Sequence, residues 1–261
     1  MTDKSIYTRR KLLASLGGAA TIAIAGCANN DQPAETTSTS TTTEPQTATT
    51  DSVATVDEQG ATSMQQETLE AELAELPTND LTGEEMAGLK FMREEEKLAH
   101  DLYTELESEF GYRVFENIAA SEQTHTDAVA LLLKKYDISD PVTGERGTFS
   151  NEDLQSLYDN LLKAGIESAE AALKVGAEVE EVDIVDIQKR AEATDEEAIT
   201  LVYDNLIRGS RNHLRAFVRV LEREGGNYSP QHLSQSEYDD IISSSIEQGS
   251  GNRQGSGNSG T

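Results

Sequence analysis

The chain has 261 residues, with 48 Asp or Glu against 21 Lys or Arg, a formal charge of −27 and a single cysteine, Cys27. So acidic a chain lacks the basic footprint that phosphate backbones require, which excludes nucleic acid as a partner, and one cysteine excludes an internal disulfide. The charge suits a highly soluble, halophilic protein, because strong salt shortens self-repulsion to a few ångström.

Thr8-Arg9-Arg10-Lys11-Leu12-Leu13, followed by the small and apolar run Ala14 to Ala25, reads as a twin-arginine (Tat) export signal. The run is too short to span a bilayer well. Ile24-Ala25-Gly26-Cys27 has the form of a lipoprotein lipobox. Residues 1–27 are therefore predicted to be a signal ending at Cys27, with Cys27 lipidated and the protein held by that anchor on the outer face of the cell membrane. Loss of Asp3, Lys4, Arg9, Arg10 and Lys11 leaves a mature charge of about −30, so surface carboxylates are read as solvating by default.

Residues 28–77 are rich in Thr, Ser, Glu and Gln and poor in large apolar side chains. They bury too little to offset ordering entropy and are predicted to be a disordered tether, weakly helical over Glu67–Leu76 before Pro77. The folded domain is expected over 78–246, with a disordered Gly, Ser and Asn tail at 247–261.

A capping box at Thr82-Gly-Glu-Glu85 opens the first strong helix, which runs to Phe110 and stops at Gly111. Leu89, Met92, Glu96, Ala99 and Tyr103 share its inner face. The second helix, Arg113 to Tyr136, carries Phe115, Ile118, Ala119, Glu122, His125, Val129 and Leu132 on one face. Pro141, Gly144 and Gly147 break the connection 137–149, and Ser150-Asn-Glu-Asp153 caps a short helix to Lys163. The third long helix, Glu167 to Ala191, aligns Leu173, Ala177, Glu180, Ile184 and Ile187, with Glu181 at the edge of that face. Thr194-Asp-Glu-Glu197 opens the fourth, which ends at Gly225-Gly226 and lines up Ile199, Val202, Leu206, Ser210, His213 and Phe217. After a turn at Tyr228–Leu233, Ser234-Gln-Ser-Glu237 caps a last helix ending near Ile246. Nothing alternates like a strand, so the fold class is all-α. Short links within two helix pairs and one long crossover between them predict a ferritin-like four-helix bundle, with a short helix in the crossover and a C-terminal helix added.

Glu122-x-x-His125 places a carboxylate and an imidazole on one helix face, about 5–6 Å apart at Cβ, within reach of one metal ion. The motif recurs. Phe115 to His125 (F-E-N-I-A-A-S-E-Q-T-H) aligns without gaps on Tyr203 to His213 (Y-D-N-L-I-R-G-S-R-N-H), pairing His125 with His213 and Glu122 with Ser210. A di-metal bundle draws one Glu from each of two helices and Glu-x-x-His from each of the other two; here one ligand is missing. Glu96 interrupts an apolar stripe, and an unpaired buried carboxylate costs several kcal/mol unless a cation removes the penalty. Glu94 and Glu95 beside it read as a solvated face. Of the acidic residues on the third helix, Glu178, Glu180, Glu181 and Asp183, Glu180 and Glu181 are both kept as candidate ligands. Tyr103, one turn beyond Ala99, is the candidate catalytic residue, placed to hydrogen-bond a ligand carboxylate. His100 and His232 lack such context and read as surface residues.

Glu96-x-x-Ala99-x-x-x-Tyr103 followed by Ile118-Ala119-x-x-Glu122-x-x-His125 resembles the first half of the rubrerythrins and bacterioferritins. The run from Thr82 to Ile242, with Gly209-Ser-Arg-Asn-His213-Leu-Arg-Ala-Phe217 and Tyr228-Ser-Pro-Gln, is closer still to a ferritin-like family of unknown function. The resemblance implies a carboxylate-bridged iron pair with Glu96, Glu122 and His125 as ligands, a third-helix glutamate bridging, and His213 completing the second iron. It also implies oxidoreductase activity on ferrous iron, oxygen or peroxide. Ser210 departs from the pattern, so the centre is asymmetric or takes one ion unless a carboxylate such as Glu181 fills the gap. Hard oxygen and imidazole ligands also admit manganese or zinc. Without a Cys-x-x-Cys pair the electrons must come from an external donor, and twin-arginine export of a folded protein would let metal load before secretion. The expected assembly is a monomer or dimer. The competing expectation, favoured by Ser210, is a tethered binding or structural module with a degenerate metal site.

Overall fold

The computed structural model describes residues 53–56 and 62–248; the export signal, Cys27, most of the expected tether and the end of the tail lie outside the described residues. Strands β1 (Ala54–Val56) and β2 (Thr62–Met64) precede helices α1 (Gln66–Glu75), α2 (Gly83–Phe110), α3 (Arg113–Lys135), α4 (Glu152–Gly165), α5 (Ala169–Ala191), α6 (Glu197–Arg223) and α7 (Gln235–Ser243). α2 pairs with α3 and α5 with α6, while α4 lies in the crossover against α2 and α5. The described part of the chain is a helical bundle, as the apolar periodicity dictates.

Local chemistry sets most boundaries. Thr82 accepts from Glu85 N while the Glu85 carboxylate accepts from Thr82 N, and Ser234 and Glu237 repeat this box at α7. Gly111 ends α2 with φ of 68°, a left-handed conformation that favours glycine. Thr194 precedes α6 rather than capping it, accepting from Glu196 N. Its hydroxyl donates to Glu85 Oε1, and α6 begins at Glu197 without a side-chain cap. Asn151, not Ser150, caps α4, because the Ser150 hydroxyl donates to Pro141 O. α7 stops at Ser243 rather than near Ile246, and beyond it Glu247 pairs with Arg211 and Arg215 of α6.

Two expectations are corrected. The folded region begins before residue 78, for Val53, Ala54, Met64, Leu69 and Leu73 are buried. β1 and β2 pair antiparallel, Ala54 opposite Met64, and Met64 N donates to Thr124 Oγ1 of α3. Lys135 Nζ donates to the carbonyls of Leu73 and Leu76, satisfying the end of α1. Strands of three residues are too short for alternation to register as a pattern, and they exist because α3 offers a surface to pack on.

The second correction concerns Glu94 and Glu95, which are buried beside Glu96. Successive helical residues point about 100° apart, so three in a row are covered only where neighbours surround the helix. α2 is such a helix, with α3, α5 and α4 about it. Glu94 accepts from the backbone N–H of Ser150 and Asn151, which fastens α4 over the bundle.

Candidate metal centre

Four helices turn acidic or imidazole side chains to one point in the bundle. α2 supplies Glu96, α3 Glu122 and His125, α5 Glu180 and Asp183, and α6 His213; each is at most 1% exposed. The Glu122 carboxylate lies between the two imidazoles: Oε2 is 2.8 Å from His125 Nδ1, and Oε1 is 2.7 Å from His213 Nδ1. Glu96 Oε2 stands 3.5 Å from His125 Nδ1, and Glu180 Oε2 stands 3.4 Å from His213 Nδ1. The rings stack with centroids 5.3 Å apart and planes 23° off parallel. Each imidazole thus faces one oxygen of a shared carboxylate and one oxygen of a private one.

Much of this interior lacks hydrogen-bond partners. Both oxygens of Glu96 and of Asp183 have none, nor do Glu180 Oε2 and His125 Nε2, and Glu122 Oε1 and His213 Nδ1, though 2.7 Å apart, are not aligned as a hydrogen bond. Buried polar atoms are ordinarily satisfied, and leaving this many orphaned costs several kcal/mol unless something else occupies the space between them. A cation fits. Adjacent ligands of an ion with bonds of about 2.1 Å stand about 3.0–3.4 Å apart, and the four nitrogen to oxygen separations run from 2.7 to 3.5 Å. Glu122, His125 and His213 form a buried group whose ligand atoms all lie within 4.8 Å of one another and could hold a metal ion.

Without a cation the centre holds protons in its place. Burial disfavours the charged form of both histidines, yet the Glu122 carboxylate outweighs it and raises His125 to about 10 and His213 to about 9. Burial also pushes up Glu96, to about 8, and together with the neighbouring carboxylates drives Asp183 well above its ordinary range. Burial raises Glu180 as well. Glu122 alone goes the other way: burial opposes its charge, but two flanking imidazoliums hold it ionised.

A supporting layer fixes these groups. Ser121 Oγ lies 2.8 Å from His213 Nε2, which sets that ring's orientation and leaves Nδ1 toward the carboxylates. Tyr103 Oη donates to Glu180 Oε1 at 2.7 Å and approaches the Gly176 carbonyl at 3.3 Å. Tyr103 packs with Phe115 and Phe217 in an aromatic cluster, with centroids 5.1–6.1 Å apart. Gly176 makes room for it, since a Cβ there would stand 2.7 Å from the Phe217 ring.

Of the residues predicted from sequence, Glu96, Glu122, His125, Glu180 and His213 are brought together, and Tyr103 holds a carboxylate of the group. Glu181 is a correction. It is buried, but its carboxylate turns from the centre and accepts from the backbone N–H of Gln231, His232 and Leu233 at 2.7–3.2 Å, pinning the turn before α7. Glu181→Ala is expected to cost about 1–3 kcal/mol by orphaning the buried N–H of Leu233 and releasing the part-buried N–H groups of Gln231 and His232 to water, with metal content unchanged; paired melting curves and elemental analysis check this. Glu122 on α3, rather than a third-helix glutamate, lies between the two imidazoles. Ser210 offers no ligand, since its hydroxyl donates to Leu206 O on its own helix. His232 is not a surface residue: its side chain is 3% exposed, and Nε2 lies 3.5 Å from Glu178 Oε1. Sequence reasoning passed over Asp183 and Ser121. Asp183 carried a signal, for it follows Glu180 by three residues and so shares its face; Ser121 carried none.

Residues 85–245 match a family described as an uncharacterized protein domain, DUF2202. The chain is 51% identical over 178 residues to the uncharacterized protein MJ0754 of Methanocaldococcus jannaschii, covering 68% of this chain and 96% of that one. It also resembles the crystal structure of hypothetical protein MJ0754 from Methanococcus jannaschii, with a TM-score of 0.65 and 52% identity over 66% of this chain and 99% of that chain. The family match spans every residue of the centre from Glu96 to His213.

Proposed function

This chain belongs to the DUF2202 family, and on that premise we propose that it is a ferritin-like metal-binding protein whose buried centre takes two divalent cations, iron foremost. The observation that carries the reading is the Glu122 carboxylate, with one oxygen toward each imidazole and a private carboxylate beyond each. Charge supports two ions. Glu96, Glu122, Glu180 and Asp183, all ionised, carry four negative charges, which two divalent cations would balance and one would not. Asp183 thereby replaces, in number, the carboxylate that Ser210 does not supply.

On this reading Glu96 and His125 hold one ion, Glu180 and His213 the other, and Glu122 lies between them. Iron so placed would supply one-electron chemistry toward oxygen or peroxide, the oxidoreductase activity that the resemblance implies, while manganese or zinc would fit the same donors. Tyr103 keeps Glu180 oriented and, alone among the nearby aromatic residues, brings a hydroxyl to a ligand; it is the residue we assign to proton or electron transfer at the centre. Electrons would come from an external donor. We further propose that the protein works outside the cell, exported by the twin-arginine route and held by lipid on Cys27; no described helix is long and apolar enough to cross a membrane.

Anaerobic titration with ferrous iron, read by elemental analysis after desalting, tests the reading. We expect about two ions per chain. Fewer than about one, after reconstitution with iron, manganese and zinc in turn, would leave the surface-tethered helical module as the better account, as Ser210 favours.

A further inference from the structure

A small pocket opens between α2, α4 and α5, lined by Glu95 and Leu98, by Leu157 and Leu161, and by Val179, Val182 and Asp183. It has room for about one water-sized molecule. Leu157 and Val182 are half-buried and form its rim, whereas Leu98, Leu161 and Val179 are buried and form its walls. Asp183, 1% exposed and with neither carboxylate oxygen hydrogen-bonded, closes the inner end. One helical turn separates Asp183 from Glu180, so the far side of this carboxylate is the metal centre itself.

From this arrangement we infer that the pocket is the access route by which dioxygen reaches the buried centre, passing between the leucines of α4 and the valines of α5 to Asp183. The inference rests on the proposed function for its purpose but not for its test. Five of the seven lining side chains are aliphatic and offer a hydrated cation nothing to replace its water, and the two carboxylates, Glu95 and Asp183, are buried, so a cation would have to shed water before it reached either. An uncharged diatomic molecule has no tightly held hydration shell to lose there. α4 is fastened for this role by Glu94, whose carboxylate receives the Ser150 and Asn151 N–H groups and so sets the height of Leu157 and Leu161 above the α2–α5 seam. The crossover is then more than a connection, because its helix forms one wall of the passage.

Dioxygen is paramagnetic and serves as its own probe. Metal-free protein with labelled methyl groups, compared by NMR under nitrogen and under oxygen pressure, is expected to show relaxation enhancement several-fold larger at the buried wall residues Leu98, Leu161 and Val179 than at Leu89, Ile118 and Leu132, which are also buried but lie elsewhere in the core. Equal enhancement at the two sets would overturn the inference. Leu157→Phe, which fills the rim, is expected to remove the excess at Leu161 and Val179, and an undiminished excess would rule out this path. Should that variant fold poorly, the wild-type comparison decides alone. Since no metal is present, a protein that binds no iron at all still gives a clear answer about the pocket.

Discussion

Glu122→Gln is expected to abolish metal binding and to destabilise the domain even before metal is added. Glutamine keeps the shape and removes the charge, and that charge is what both imidazoles share, at 2.8 and 2.7 Å. In the metal-free protein the change strips two buried imidazoliums of their counter-ion. Breaking a buried pair from one side costs about 3–5 kcal/mol; the histidines recover part of this by shedding protons, so about 3 kcal/mol is a fair expectation. At about 2–4 °C per kcal/mol for a domain of this size, the melting temperature should fall by roughly 6–12 °C. Iron content should fall to the background of a control, Glu116→Gln, on the exposed side of the same helix. A variant that lost stability yet still bound two ions would remove Glu122 from the bridging position, whereas unchanged stability and unchanged metal would dissolve the centre altogether.

Opposed pH dependences of the metal-free and metal-loaded proteins form the second large effect. Folding raises Glu96 from 4.5 to about 8, chiefly by burial, and the Glu122 charge overrides burial to raise His125 and His213 from 6.5 to about 10 and about 9. Between those limits the folded protein holds more protons than the unfolded chain, so its stability falls as pH rises. The histidine contributions are complete below pH 6.5 and lost by about 10. The Glu96 contribution fades from 4.5 to about 8. Glu122, held low by the imidazoliums, runs the other way and matters only in acid. Metal-free protein should therefore melt progressively lower from pH 6 to 9. Cations displace those same protons, so affinity grows with pH and the gap between loaded and metal-free melting temperatures widens. Loading at pH 7 should release about four protons per chain, from His125, His213, Glu96 and Asp183. Calorimetry in two buffers of different ionisation enthalpy counts them, and a release below about two would show that the ions bind elsewhere.

Much of this was legible before any coordinates. Apolar residues at helical spacing defined four long helices, Thr82, Gly111 and Ser234 marked three ends by chemistry that the structure repeats, and the internal likeness of Phe115–His125 to Tyr203–His213 named the two histidines. Glu96 was readable because a lone acid in an apolar stripe is costly to bury without a partner. These are local signals, written within one or two turns of one helix. Export and lipidation at Cys27 are likewise motif readings, on residues outside the described structure.

Tertiary structure decided the rest, and the reason is that a helix records its own periodicity but not which neighbours will surround it. α5 is buried on nearly every side, by α6, by α2 and α4, and by the turn before α7. Glu178, Glu180, Glu181 and Asp183 are therefore all covered, and apolar contrast along the helix could not rank them. Packing sent Glu180 and Asp183 to the centre and Glu181 to three backbone donors of the turn. The same limit hid the burial of Glu94 and Glu95, which depends on α4 crossing over α2, and the small hairpin, which exists by leaning on α3. The chain's own pattern thus determined which long helices form and that His125 and His213 face inward, whereas only the assembled bundle buried the His232 side chain and determined which carboxylates meet the two central imidazoles and which one lies between.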